Sequence, residues 1–434
     1  MSNTVWRNWS RTYEVTPVRL ASPTSLQDLV SAVQAAITEG LHVKAVGAGH
    51  SFSPIAEAAG LQVNLDRMSG LLSIDKARRQ VTLGAGTRLH QIPALLAPHG
   101  LAMENLGDID TQSIAGAIST GTHGTGAGFR GIAAQVVGAV LVTGTGDVLR
   151  VNAEHNAHLL PAVALGLGAL GILAEVTIAC VDAFDLTAVE RPEPIEAVLE
   201  NLPERAAEAD HFEFFWFPHT ETALTKVNTR RPSGEERSPL SRARRWFDDD
   251  LLSNDVFRAT CAVGRAVPAV VPLINRAVGH LTGHRSFSDA STNVFTTHRN
   301  VRFTEMEYAI PAEQAADAFR EVRRAIERNG WRISFPVEVR FAAADDLWLS
   351  TAHGRATAYV AVHRVVGEDA GDYFRTVESI MRARGGRPHW GKMHWRSAAD
   401  LAPSYPRFED FRALRAGLDP QGIFSNNYLT RVLG

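Results

Sequence analysis

The chain reads as an α+β protein of two domains, and three observations carry that reading. Short strand-like runs alternate with helical repeats from the N-terminus to about residue 182. From about 183 to 420, longer alternating runs are separated by amphipathic helical segments, the pattern of a large antiparallel sheet covered by helices on one face. A length of 434 residues also exceeds what one hydrophobic core usually serves.

In the first region, Ser25–Glu39 spaces Leu26, Leu29, Val30, Val33 and Ile37 as a helix face, with Thr24 or Ser25 as N-cap. Val43–Val46, Leu61–Leu65, Leu71–Ile74 and Gln80–Leu83 read as short strands set off by turns. Leu89–His99 reads as a helix stopped by Gly100. Ala134–Thr143 and Val148–Val151 flank Gly144-Thr145-Gly146-Asp147 as a hairpin, and Ile172–Ile178 is a further strand. In the second region helices are expected at Pro194–Asn201, Pro311–Arg328, Gly371–Arg384 and Phe408–Gly417. Strands are expected at His211–Phe217, Thr304–Ile310, Ile333–Phe341 and Ala358–Val365. Thr229–Asp250 is charged and holds Pro232, Gly234 and Pro239, which predicts an exposed excursion.

Composition narrows the function class. Hydrophobic residues make up 45% and charged residues 21%, as in ordinary globular proteins. With 44 Lys plus Arg against 47 Asp plus Glu, there is no electrostatic case for nucleic-acid or membrane binding. Cys180 and Cys261 sit in apolar surroundings as buried thiols, and no metal-ligand spacing is present. The N-terminus shows no basic-then-apolar targeting pattern, and the apolar stretch near Ala262–Val271 is too short and too broken to span a bilayer. A soluble, cytoplasmic protein is expected.

Val46-Gly47-Ala48-Gly49-His50-Ser51-Phe52 carries the most information. A strand feeds a glycine turn whose free amides can hold a phosphate, and a histidine stands at its end. On the turn alone, a solvated histidine is an equally good reading. Gly126–Gly131 and Gly166–Gly171 match the dinucleotide fingerprint by letter. They lack its strand-before, helix-after context, so a Rossmann site is rejected; the glycine-rich turns at 47–49, 121–126 and 166–171 can still offer amides to a diphosphate. Glu338 and Arg340 lie two apart in a strand pattern and so share a face. By residue type alone that is most simply a surface ion pair, and Lys392 a solvated turn lysine. Trp6, Asn8 and Trp9 are expected to anchor the N-terminal arm.

Gly49-His50-Ser51-Phe52-Ser53-Pro54 resembles the flavin-attachment segment of the vanillyl-alcohol-oxidase-type FAD-linked oxidoreductases. The closest likeness is to their sugar-1,4-lactone oxidase (gulonolactone/arabinonolactone oxidase) and alditol oxidase branch. The likeness continues through Ser119–Gly126, Ala164–Gly171, Glu305-Met306-Glu307-Tyr308, Glu338-Val339-Arg340 and His389-Trp390-Gly391-Lys392, in order along nearly the whole chain. The resemblance implies a two-lobed FAD-binding domain of the PCMH type over 1–182, a substrate (cap) domain over 183–420 and a C-terminal segment, 421–434, that returns to the first domain. It implies FAD bonded covalently through His50 and held by Val46, Gly47, Ala48, Gly49, Ser51, Phe52, Gly107, Ser113, Gly116, Ser119, Thr120, His123, Gly124, Gly171, Ile172 and His389.

It also gives roles at the reacting centre. Glu338 would bind or deprotonate the substrate hydroxyl, Arg340 would fix the substrate and stabilise alkoxide-like charge, and Lys392 would compensate charge near flavin N1. Asp108 and His363 would contact substrate. Alditol-type members carry serine where this chain has Asp108, and Gly107 either leaves room for oxygen above the flavin or serves a tight turn. The implied reaction is oxidation of a hydroxyl of an aldono-1,4-lactone (L-gulono-, L-galactono- or D-arabinono-) by hydride transfer to flavin N5, with oxygen or another acceptor closing the cycle. Alditol oxidation, of xylitol or sorbitol to an aldose with hydrogen peroxide, is the second reading. A flavin-free binding module is the reading from a different class.

Overall fold

The computed structural model describes residues 4–246, 251, 254–281, 283–297 and 299–434. Beside two-stranded ladders of Trp6–Arg7 with Glu14–Val15 and of Leu101–Ala102 with Val181–Asp182, the first region holds two main sheets around one hydrophobic core. One is parallel, in the order Arg19–Ala21, Leu61–Asn64, Val43–Val46. The other is antiparallel, in the order Val148–Asn152, Val136–Val142, Ile172–Ala179, Gln80–Gly84, Leu71–Asp75. The helix Leu26–Glu39 starts where expected, with the Ser25 hydroxyl accepting from Asp28 N, and stops at Gly40 in the left-handed region at φ 65°. Leu89–His99 is not one helix. It splits into 3-10, α and 3-10 turns, with Pro93 and Pro98 in the first turns of the latter two, where a missing N–H costs little.

The second region is built on an eight-stranded sheet. Its order is Arg285–Ala290, Phe184–Pro194, Thr222–Pro232, His211–Trp216, Val337–Ala342, Thr357–Val365, Phe303–Pro311, Arg387–Pro388. Strand alternation divides its residues cleanly. Phe212, Phe214, Trp216, Met306, Tyr308, Val337, Val339, Phe341, Val360 and Val362 are buried in a core shared with the helices Ala315–Arg328 and Gly371–Arg382. The opposite face presents Glu190, Glu213, Lys226, Glu305, Glu307, Glu338, Arg340 and His363 to a cavity shared with the first region. A sheet usually gives water one polar face; here that face is closed over by another domain and becomes a charged interior.

Several expectations need correction. The long strands Phe184–Pro194 and Thr222–Pro232 pair along their whole length, so Thr229–Pro232 belongs to the sheet and not to an excursion. Residues 233–244 beyond it are mostly exposed, and 247–250 lie outside the described residues. The strand expected from Ile333 begins at Val337, because Pro336 has no N–H to offer the ladder. The helices Phe257–Ala266 and Val271–Leu281 were not foreseen. The return to the first core begins well before 421: Trp390, Leu401, Tyr405, Phe408 and Phe411 are already buried there, joined by Ile423, Tyr428, Leu429 and Val432. Cys180 and Cys261 are free and buried, and burial pushes their thiols up to about 11 and 12. Among the described residues, no helix is long and apolar enough to cross a membrane.

Candidate active site

Two adjoining cavities meet at His50. The first is lined by Val46, Gly47, Ala48, Gly49, His50, Ser51, Ser113, Gly116, Ser119, Thr120, Gly168, Gly171 and Ile172, with Lys44 and Phe424 also in its wall. Several glycines line it at points where a side chain would not fit. A Cβ on Gly47 would stand 2.5 Å from Ser113 Oγ, and Gly49, Gly168 and Gly171 have φ of 71°, 60° and 154°. Ser113 caps the helix Ile114–Thr120, accepting from Gly116 N. Lys44, fully buried, donates to the Gly168 and Phe424 carbonyls at 3.2 Å each and so ties the glycine turn to the C-terminal segment. A cavity lined by so many glycines can offer backbone amides to the diphosphate of a dinucleotide.

His50 stands where this cavity opens into the second. Its Nε2 is 2.7 Å from Thr111 Oγ1, and its ring stacks on Trp9 with centroids 5.3 Å apart. Burial, helped by the Lys392 and Arg88 cations, pushes the imidazole down to about 4. The ring is therefore neutral at physiological pH. The N-terminal arm does more than anchor. Asn8 ties it down, donating to Ser51 O and accepting from the Thr12 and Tyr13 amides, but Trp9 forms part of the cavity wall.

The second cavity encloses about 2500 Å³, partly open to solvent, between the His50 turn and the charged face of the large sheet. Phe52, Gly107, Asp108, His123, His363, His389, Lys392, Glu338 and Arg340 all line it. Gly124 lines neither cavity; it lacks a side chain because the Leu106 carbonyl packs against it. A Cβ on Gly107 would come 3.1 Å from His123 O, so that glycine also serves close packing.

The charges in this cavity are paired. Arg340 donates from Nε to Glu213 Oε2 at 2.8 Å and sets Nη2 against Glu338 Oε1. Burial, reinforced by Glu213 and opposed by Arg340, raises Glu338 to about 7. Despite burial, Glu338, Glu213 and Asp108 together hold Arg340 well above its ordinary value. Lys392 pairs with Glu305; burial works against its charge, but Glu305 and Glu307 outweigh that and keep it cationic. Glu305 also faces His363 Nε2 at 3.5 Å, and against the burial penalty Lys392 and His363 bring it down to about 2. The carboxylate of Asp108 is taken by Thr297 Oγ1 and by Arg299 Nε at 3.1 Å, which fastens the loop over the cavity to the cap region.

His123 stacks on Tyr359 at 3.5 Å and faces Glu307 at 3.4 Å, while burial pushes His389 down to about 3. Ligand atoms of His123, Glu307 and His389 lie within 4.8 Å of one another, a grouping no sequence spacing announced. Glu213, Lys226, Arg299, Thr111 and Trp9 were missed as site residues. Glu213 alone left a signal, as the single acid in the aromatic strand His211-Phe212-Glu213-Phe214-Phe215-Trp216.

Comparison with known proteins shows the family and the fold. Residues 17–152 match the FAD binding domain family, and residues 176–432 match the D-arabinono-1,4-lactone oxidase family. L-gulono-1,4-lactone dehydrogenase of Mycobacterium tuberculosis is 40% identical over 99% of both chains. L-gulonolactone oxidase of Bos taurus is 34% identical over 98% of both. Among solved structures, cholesterol oxidase from B. sterolicum superposes with a TM-score of 0.82 at 18% identity, covering 99% of this chain and 96% of that one, a likeness of fold. A chain with a dinucleotide cradle, a histidine at its mouth and a sheet-borne acid–guanidine pair facing it, matched over more than half its length by one family, belongs to the D-arabinono-1,4-lactone oxidase family, with an FAD-binding domain at its N-terminal side.

Proposed function

We propose that the chain oxidises a hydroxyl of an aldono-1,4-lactone beside its carbonyl, giving a 2-keto lactone. The observation that carries this reading is Glu338, held near neutrality and paired with Arg340, on the sheet face that looks across one cavity at His50. The names of the relatives from Mycobacterium tuberculosis and Bos taurus point to the same substrate class.

FAD fits the amide-lined cavity, and when bound it supplies the two-electron acceptor for the substrate hydride. This chain's residues do the rest. Glu338, raised to about 7, takes the hydroxyl proton as general base. Arg340 stays cationic and stabilises charge developing on the substrate oxygen. Lys392, over the Phe52 ring at 5.3 Å, keeps positive charge in the cavity that His50 also lines, and would offset the charge of a reduced flavin. His50, neutral and oriented through Nε2 by Thr111, would attach the flavin covalently. Two unpaired buried thiols support a cytoplasmic setting.

The second reading is alditol oxidation. Asp108, where alditol-type members have serine, puts a pinned carboxylate on the cavity wall, which favours the lactone. A steady-state panel of L-gulono-, L-galactono- and D-arabinono-1,4-lactone, xylitol and sorbitol, run under air and with an artificial acceptor, decides both substrate and acceptor. Turnover of a lactone with dye or oxygen is the expected result. Peroxide from xylitol or sorbitol with no lactone turnover would overturn the lactone reading.

A further inference from the structure

We propose that Glu213 is a positioning residue that acts through Arg340, holding its guanidinium from the neighbouring strand and so setting how firmly that guanidinium grips Glu338. Sheet register builds the arrangement. Phe214 pairs with Val339 and Phe215 with Glu338, which brings Glu213 beside Arg340; Glu213 in turn pairs with Lys226, and Arg340 with Tyr359. One row across the sheet therefore reads Lys226, Glu213, Arg340, Tyr359. The next reads Leu224, Phe215, Glu338, Ala361. Charge is concentrated in the first row, and Glu338 stands in the second with apolar neighbours on both sides.

The bonds are unequal. Arg340 Nε gives Glu213 a hydrogen bond of 2.8 Å, whereas Glu338 Oε1 meets Arg340 Nη2 only as an ion pair and accepts no well-directed hydrogen bond. Lys226 Nζ stands 3.5 Å from Glu213 on the far side. One guanidinium thus serves two buried carboxylates: Glu213 takes the directed hydrogen bond from Nε, and Glu338 takes the close ion pair at Nη2. Glu213 leaves Glu338 able to take a proton, and Lys226 limits how much of Arg340 it draws.

The groups facing Glu338 are Arg340 on its own strand, Glu213 and Lys226 on the two strands to one side, His363 and Glu305 on the other, Asp108 and Arg299 from the loops above, and Lys392 from the turn. Removing the charge of Glu213 frees Arg340 for Glu338 and subtracts a like charge, so Glu338 ionises at lower pH. Removing Lys226 has the opposite sign, because Glu213 then draws on Arg340 alone.

The test is the pH profile of kcat/KM for the holoenzyme with its best lactone. Glu213→Gln should move the acid limb down by about one pH unit, a roughly tenfold gain at pH 5.5 relative to the plateau. Lys226→Met should move it up, and Glu213→Asp should return it towards the parent. A readout independent of turnover is thermal unfolding: the stability gap between Glu338→Gln and its parent should shrink, and its pH dependence should end about one pH unit lower, in the Glu213→Gln background. Glu213 acting only as a strut would lower kcat/KM equally at every pH, and a limb unmoved in both variants overturns the proposal. Should Glu213→Gln fail to fold, the direction of the Lys226→Met limb decides alone. The inference rests on Glu338 as base. Full turnover by Glu338→Gln would sink that reading, whereas unmoved limbs with Glu338→Gln inactive would sink only this one.

Discussion

Glu338→Gln should make the protein slower and, at alkaline pH, more stable. The substitution keeps shape and removes a titratable charge. In the folded chain burial raises this carboxyl from 4.5 to about 7, a difference of about 2.5 units. At ~1.36 kcal/mol per unit this is about 3 kcal/mol, an upper bound because Glu213 and Arg340 adjust as Glu338 titrates. The sign follows from proton uptake. Between pH 4.5 and 7 the folded state holds the proton that the unfolded state releases, so stability due to this group is fully present below 4.5 and is lost as pH rises through 7. Glutamine does not titrate. The variant should therefore match the parent near pH 4.5 and exceed it by up to about 3 kcal/mol at pH 8, while kcat/KM falls ~10²–10⁴-fold with loss of the base. Denaturant or thermal unfolding at the two pH values, with flavin content checked, reads the first effect and lactone turnover the second. A variant less stable than the parent by the same amount at both pH values would mean that Glu338 and Arg340 form a structural strut, and the reasoning would be refuted.

Three other predictions follow the same pairs. Lys392→Met leaves Glu305 and Glu307 buried without their shared cation, and lactone-driven flavin reduction measured by rapid mixing should fall ~10²–10³-fold; a rate within twofold of the parent would remove Lys392 from the chemistry. His50→Ala should abolish acid-stable yellow colour, and Thr111→Val should slow flavin attachment while leaving reversible binding, both read as flavin fluorescence of the denatured protein; retained colour in His50→Ala would exclude the link. Gly47→Ala drives a Cβ to 2.5 Å from Ser113 Oγ, so it should lose roughly 1–3 kcal/mol of stability and much of its FAD, with partial recovery on adding Ser113→Ala; undiminished FAD content would show that the cradle can open.

Much of this arrangement was legible in the sequence wherever one residue type admits few explanations. The glycine turn before His50 needs positive φ and close backbone approach, and the structure uses both. Glu338 and Arg340 share a face because a strand repeats every second residue, and the structure puts that face on the cavity. Partners supplied by register were not legible. Glu213 meets Arg340 only because Phe214 pairs with Val339, a match between segments more than a hundred residues apart. Thr111 and Trp9 reach His50 from loops whose course no local pattern fixes. Phe184–Pro194 and Thr222–Pro232 are masked in the sequence by charged residues: Glu190 faces the cavity, Arg191 and Arg231 pair with Glu193 and Glu235, and Arg230 lies over the Phe129 and Phe184 rings. The boundary near 420 was placed too late because the buried residues at 390–411 are spread thinly among exposed ones and gain their meaning only against the first core.

The most direct test is anaerobic mixing of the FAD-loaded protein with L-gulono-1,4-lactone while the flavin absorbance is followed. The account predicts rapid bleaching in the parent, several orders of magnitude slower bleaching in Glu338→Gln, and the same amount of flavin in both. Flavin that stays oxidised in the parent with every aldono-1,4-lactone offered would contradict it.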